Sequence, residues 1–522
     1  MNIGCNPMSS IDESERTRFS HRRKQMGIVL FCILSIAMLV VFTVFAFTRY
    51  YYFILAYTKP YAILVFIALF VLLAGALYIT WIIYQGKKLR RAVQPIIGAF
   101  MLILLVAPII GISTMETQYI KGESDLNKLT SLYSTQEEWE TRASTIRKGI
   151  LKGAELDPLP PKTALNATIH STRFYASYSV ANVYFESIPG FFVTGNLYRP
   201  LNYQSGSPKP LLLIPHGHFS AGRFEAHNQQ MGAMFARMGA IAMTYDMVGR
   251  GENTQMEHET PYALTLQILN SIRVLDFLLT LENVDNSKIG ITGASGGGTQ
   301  TILLTAVDAR VTVSAPVVMV SSWIYGGCQC ESGLPIHKGD DYSTNNAEIA
   351  ALAAPRPMLL VSCGNDWTQF TPELEYPFIQ RIYGFYDAET RVKNVHLPND
   401  EHDFGPAKRF AVYEFMAEKL GLSIQNVMDF EQLFDEATNT IESIDPMRAF
   451  DASHPRPLYA LTGVDNIMAA LRNLQGIEAD QEKTIDSIPE FFFFAVSVLC
   501  LYCEMRSQSK RVRKKQFNKH IF

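Results

Sequence analysis

Lys288-Ile289-Gly290-Ile291-Thr292-Gly293-Ala294-Ser295-Gly296-Gly297-Gly298 runs straight on into Thr299-Gln300-Thr301-Ile302-Leu303-Leu304. The opening is an apolar strand stub and the close a helix-compatible apolar stretch; between them stands Gly-x-Ser-x-Gly. A serine squeezed between a strand and a helix needs neighbours without side chains. The pattern predicts a sharp turn that lifts Ser295 Oγ out of a sheet. The helix beginning there aims its first N–H groups at any negative charge that develops nearby. Gly-x-Ser-x-Gly alone says little in a chain with 33 glycines, so its weight comes from the strand and helix around it. The plainer reading is a glycine-rich turn that packs closely or holds an anion, and the surrounding segments decide between the two.

Working outward, 177–186 and 191–198 predict two antiparallel strands joined through Ile188-Pro189-Gly190. Short continuous apolar runs at 211–215, 240–245, 288–292, 311–318, 358–363 and 392–397 predict buried parallel strands. Helical spacing falls between them at 224–238 and 262–281, and again at 407–420. Strands alternating with helices after an initial hairpin predict a mostly parallel α/β sheet flanked by helices. Catalytic groups on such a sheet belong in loops at the carboxyl ends of strands.

Two of those loops supply what a serine nucleophile requires. Gly364-Asn365-Asp366-Trp367-Thr368 follows the strand ending at Cys363, and Pro398-Asn399-Asp400-Glu401-His402-Asp403 follows the one ending at Leu397. Ser295, Asp366 and His402 stand in the chain order of the α/β-hydrolase fold. His402 is expected to take the serine proton and Asp366 to hold the imidazole's tautomer. His396 competes with His402 but lies inside a strand; Asp341, Asp400 and Glu331 compete with Asp366. His216-Gly217-His218, after 211–215, is placed to complete an oxyanion hole, with the His218 N–H beside that of Gly296. His216 and His218 with no third ligand evident make a weak metal motif, and neither metal nor cofactor is expected. Cys328-x-Cys330 reads as small residues packed near the active-site mouth, or else as a redox pair, a thiolate metal site or a strained local disulfide; Glu331 and Trp367 are further pocket candidates.

Residues 176–421 resemble the α/β-hydrolases of the bacterial acetyl xylan esterase-like type. The resemblance rests on Ile188-Pro189-Gly190-Phe191, Asn196-Leu197-Tyr198, Tyr245-Asp246-Met247-Val248-Gly249 and the run 292–300. It also rests on Gly326-Gly327-Cys328-Gln329-Cys330-Glu331, Ala354-Pro355-Arg356-Pro357 and Asp366-Trp367-Thr368. It implies serine ester hydrolysis, acetyl and other small-acyl esters above all, with Ser295 as nucleophile, His402 as base and Asp366 as acid. Two departures stand out. Such enzymes are usually secreted without multiple membrane spans, and the surroundings of His402 are unusually acidic.

The rest of the chain departs from a soluble enzyme. Only 18% of the 522 residues are charged against 48% hydrophobic, below the usual charged share of about 25%. Residues 26–47, 60–85 and 92–114 carry no charged side chain, and each is long enough to cross a hydrocarbon core of about 30 Å. A shorter run at 491–505 is a fourth candidate. Lys and Arg crowd the leader (Arg16, Arg18, Arg22, Arg23, Lys24), the loop at 87–91 and the tail (Arg506 to Lys519). That places both termini in the cytoplasm and the middle domain outside. A net charge of −3 gives no electrostatic footprint for nucleic acid.

The expected organisation is a leader (1–25), three transmembrane helices (26–115), a juxtamembrane segment (116–161) read as helical from its scattered apolar residues (Leu129, Leu132, Trp139, Ile146, Ile150), and the hydrolase domain (162–425). A helical extension (426–487), a fourth span (488–505) and a basic tail (506–522) complete it. The function expected is a membrane-anchored serine esterase acting on a small-molecule or glycan ester. The alternatives are a lipid or acyl-glycan hydrolase or acyltransferase, a serine peptidase, and an inactive membrane scaffold; the oligomeric state is left open.

Overall fold

The computed structural model describes residues 118–219, 221–339 and 342–477. The leader, the apolar runs within 26–115 and 488–505, and the basic tail lie outside the described residues. Among the described residues no helix is long and apolar enough to cross a membrane.

A nine-stranded sheet carries the fold. Its strands are β1 (Thr168–Phe174), β2 (Tyr178–Ile188), β3 (Phe191–Pro200), β4 (Lys209–Pro215), β5 (Ile241–Tyr245), β6 (Val284–Ala294), β7 (Val313–Val317), β8 (Met358–Cys363) and β9 (Val392–Leu397). They lie in the order β1-β2-β3-β5-β4-β6-β7-β8-β9. β1, β2, β3 and β5 pair antiparallel; β5, β4, β6, β7, β8 and β9 pair parallel. The inner parallel strands β4, β5, β7 and β8 are mostly apolar and buried on both faces, whereas the outer strand β9, expected to be buried, buries only Val392 because nothing pairs with its far side. β2 turns into β3 at Pro189-Gly190, where Gly190 has φ +80°. Proline followed by a residue at positive φ is the chemistry of a type II turn.

Residues 118–130 are helical, and the helices that follow are α1 (Gln136–Gly153), α2 (Ala226–Arg237), α3 (Tyr262–Leu278), α4 (Gly296–Val307), α5 (Gln329–Ser332), α6 (Asn346–Ala351), α7 (Glu375–Gly384), α8 (Pro406–Leu420) and α9 (Val464–Gln475). α8 and α2 cover one face of the sheet, with Phe235, Tyr413 and Met416 packed among Leu212, Ile214 and Val361. The long α3, ahead of β6, is buried along its whole length. Arg356 ties the parallel edge together by donating to Thr305 O (2.6 Å) and Val311 O (2.8 Å). A guanidinium is suited to that task because one planar group serves several carbonyls.

Two segments differ from the sequence reading. Residues 118–153, expected as a juxtamembrane stretch outside the domain, form part of it. α1 starts on a capping box, Thr135 with Glu138, and buries Trp139, Ala143, Ile146 and Ile150. Arg142 then pairs with the fully buried Glu348 of α6 at 2.7 Å, and Arg147 donates to Ala306 O at 3.1 Å. The second difference is at 426–463, where a helical extension is expected and the chain is mostly irregular. Pro446, Pro455 and Pro457 interrupt any helix. Side chains of the antiparallel strands take up its free carbonyls: Asn182 donates to Arg448 O (2.6 Å) and Asn196 to Met447 O (2.9 Å). β1 is a strand the sequence did not announce, because this edge strand leaves most of Thr168–Phe174 to solvent.

Candidate active site

The serine turn is built by glycine. Ser295 lies between β6 and α4 with φ 56° and ψ −124°, a strained conformation for a residue with a side chain. A Cβ on Gly293 or on Gly297 would overlap the Pro215 carbonyl oxygen, and one on Gly298 would sit 2.6 Å from Met319 Cβ. Ser295 N–H donates to Val317 O at 3.0 Å, pinning the turn to the end of β7. Only 8% of the residue is exposed.

His402 and Asp366 arrive from the ends of β9 and β8. His402 Nε2 lies 2.9 Å from Ser295 Oγ and its Nδ1 2.7 Å from Asp366 Oδ2. The other carboxylate oxygen of Asp366 accepts from Thr368 N and Thr368 Oγ1, each at 2.6 Å. Burial works against the Asp366 charge, yet His402 and Thr368 outweigh it and hold the carboxyl below its ordinary range. With Nδ1 donating to Asp366, the Nε2 lone pair faces the serine hydroxyl, as a general base requires. The two loops are joined by Gly364 N to Leu397 O (3.0 Å) and Asn365 Nδ2 to Asn399 O (3.1 Å). Lys408 of α8 accounts for the acidic surroundings of His402. Its fully buried ammonium contacts Asp400 (3.2 Å) and Asp403 (2.6 Å), gripping the loop on both sides of the histidine.

The solved structure of the methylesterase BT1017 shares 40% sequence identity with this chain, covering 68% of this chain and 81% of that one at a TM-score of 0.62. The chain belongs to that enzyme's family. It is a serine hydrolase of the carboxylic-ester type. The family model of the X-Pro dipeptidyl-peptidases (S15 family) matches residues 190–369. More distant structures include an acetyl xylan esterase from Paenibacillus sp. R4 (18% identity, 55% of this chain and 94% of that one, TM-score 0.38). A glucuronoyl esterase from Solibacter usitatus also matches, at 15% identity over 55% of this chain and 94% of that one, TM-score 0.40. No curated protein matches the chain.

In this family member the loop after β4 passes over Ser295 at close range. A Cβ on Gly217 would sit 2.6 Å from Ala294 O and 3.1 Å from Ser295 Cβ. His216 shapes that loop from behind: its Nε2 accepts from Met247 N (3.0 Å), so its Nδ1 carries the proton and donates to Gly217 O (2.8 Å). His216 is thus a brace between the ends of β4 and β5. Gly296, as the first residue of α4, has an N–H with no acceptor inside the helix, and the His218 ring lies against it. The Nε2 of that ring meets His258 and Cys330.

Trp367 stacks at a tilt on His402, ring centroids 4.2 Å apart, and walls the site. Glu331, pushed up by burial, accepts from Gly327 N (2.9 Å) and Cys328 N (3.1 Å) and so fixes the Cys-x-Cys loop. Cys328 is drawn down by Cys330 and by the two histidines, while Cys330 is pushed up by Cys328 and by burial. Of the competitors, His396 bonds Ser362 Oγ (2.9 Å) within the sheet and Asp400 pairs with Lys408; Asp341 lies outside the described residues. Asp246 is committed to a buried ion pair with Arg223, which also holds Glu252. Sequence reading missed Lys408, His258 and Gln118. The last donates to Trp367 O at 2.7 Å from 249 residues away, a contact no local pattern announces.

Proposed function

We propose that Ser295, His402 and Asp366 hydrolyse a carboxylic ester through an acyl-serine intermediate, at the outer surface of a membrane to which the chain is anchored. The observation that carries this is the unbroken series of contacts from Ser295 Oγ through His402 to Asp366 at 2.9 and 2.7 Å, on a serine held at positive φ. Ser295 Oγ attacks the ester carbonyl while His402 Nε2 takes its proton. The tetrahedral oxyanion is met by the N–H groups of Gly296 and His218. Collapse expels the alcohol, which leaves with the proton from His402. A water molecule, deprotonated by the same nitrogen, then releases the acid. The chemistry uses no cofactor.

The 40%-identical methylesterase supports an ester small on the alcohol side, with methanol as the leaving group. The acetyl ester implied by the sequence resemblance is small on the acyl side. Support for the membrane setting comes from Gln118. It contacts the Asp366 loop four residues after the charge-free run 92–114, a reach of about 14 Å at full extension. That would place the catalytic mouth near the bilayer surface.

The test uses the full chain in detergent, beside Ser295→Ala. Fluorophosphonate labelling, methanol release from methyl esters and acetate release from acetyl esters are followed together. Labelling and turnover lost together in the variant support the esterase, and the ratio of the two products names the small side. An unlabelled, well-folded wild type would overturn it. Because the S15 model matches 190–369, X-Pro dipeptidyl p-nitroanilides belong in the same assay. Cleavage of these in preference to esters would make the protein a peptidase.

A further inference from the structure

Two imidazoles and two thiols meet beside the oxyanion loop, delivered by three separate stretches of chain. His218 comes from the loop after β4, His258 from the stretch between β5 and α3, and Cys328 and Cys330 from that between β7 and α6. His218 Nε2 lies 3.0 Å from His258 Nε2 and 3.1 Å from Cys330 Sγ; Cys328 Sγ lies 3.2 Å from His258 Nε2. All four ligand atoms fall within 4.8 Å of one another, and neither cysteine is in a disulfide.

The groups behind this cluster orient it inward. His258 Nδ1 is 2.6 Å from Val248 O, so it carries a proton and leaves the Nε2 lone pair facing the other three groups. The carboxylate of Glu331, by accepting from the N–H groups of Gly327 and Cys328, holds the first thiol in place. A tetrahedral ion about 2.0 Å from each nitrogen and 2.3 Å from each sulfur separates its ligands by about 3.3–3.8 Å. The three close spacings, 3.0, 3.1 and 3.2 Å, fall just short of that range, and the remaining ones stay within 4.8 Å. Two thiols and two imidazoles select a borderline-soft ion over calcium or magnesium.

We propose that His218, His258, Cys328 and Cys330 form a closed tetrahedral site for a zinc-class divalent ion. Loading exchanges the two thiol protons for the ion, leaving two thiolates and two neutral imidazoles as ligands. With four protein ligands the ion has no open position and does not meet substrate; it ties three loops together. The site stands independently of the esterase reading, and only its consequence for catalysis depends on that reading. The His218 ring lies against Gly296, a Cβ there falling 2.9 Å from its Cε1. Fixing His218 therefore fixes the backbone on both sides of the oxyanion position.

Metal content decides the matter. The full chain, purified in detergent without chelator, supplied with zinc and then passed into metal-free buffer, is expected to retain about one zinc per chain. Ser295→Ala should retain the same amount, and Cys328→Ser and His258→Gln each at least about tenfold less at limiting free zinc. Since those variants can fail to fold, cobalt-loaded wild type is read in parallel, where a thiolate-to-cobalt charge-transfer band and intense visible bands are expected. Wild type that retains no zinc and shows no thiolate band with cobalt overturns the site, as does a Cys328–Cys330 disulfide that persists with zinc present. Bound zinc with a Ser295 inert to fluorophosphonate would instead sink the esterase reading and leave the metal site standing.

Discussion

At the scale of single residues, the site is a set of groups placed where their ordinary chemistry is altered. Asp366 is buried yet anionic because His402 and Thr368 satisfy both oxygens. Asp366→Asn should keep the fold and lower kcat by about 10⁴-fold, since the amide favours the wrong imidazole tautomer; steady-state kinetics beside unchanged thermal unfolding checks it. Ser295 and its two partners were legible in sequence because each sits in a loop just past an apolar strand, in the order the fold requires. His258 was not. It carries no ligand pattern of its own, and it meets Cys328 only because two loops 70 residues apart follow the carboxyl ends of β5 and β7. Val318 was equally hidden: a β-branched residue at φ +45°, just past the strand end that holds the Ser295 N–H.

At the scale of elements, the turn after β6 and the loop after β9 are each held by one identifiable device. Gly297→Ala would drive a methyl into the Pro215 carbonyl oxygen. The expected result is a loss of fluorophosphonate labelling with a lowered Tm, whereas Thr305→Ala, further along α4 and bonded only within the helix by its hydroxyl to Thr301 O, should keep its labelling. Lys408→Met removes the buried cation that grips Asp400 and Asp403. Freed, the His402 loop should cost about 100-fold in kcat with little change in KM, because an ångström of misplacement is enough. α1 is an element whose helix was legible and whose place was not. Its amphipathic spacing announces a buried face but not which surface covers it. Arg142→Met would leave Glu348, 0% exposed, as an unpaired buried carboxylate. It should destabilise the fold by about 3 kcal/mol in urea unfolding, with much of that recovered by adding Glu348→Gln.

At the scale of the whole molecule, half-buried neutral histidines make the fold sensitive to acid. His227 and His337 are both pushed down to about 4, chiefly by burial. An unfolded chain takes up these protons near pH 6.5 while the folded one refuses them down to pH 4. Their stabilising contribution is therefore complete above pH 6.5 and is lost as pH falls from there toward 4. His337→Gln should remove about 2 kcal/mol of that acid-dependent loss, seen as a shallower fall of Tm between pH 7 and 4.5. The 426–463 segment belongs to this scale too, since its irregular backbone is held by side chains from across the domain, among them Asn182, Asn196, Arg223 and Arg237, that satisfy its carbonyls. By itself the amino-acid sequence determined the α/β class, the parallel strands, the serine turn and the order of Ser295, Asp366 and His402. Each of these is written in a local pattern: apolar runs, glycine where no side chain fits, polar residues just past a strand. Only the tertiary structure decided that 118–153 joins the domain and that Lys408 holds the His402 loop. It alone brought two histidines and two cysteines to one point, because such contacts join positions tens to hundreds of residues apart whose meeting depends on sheet order.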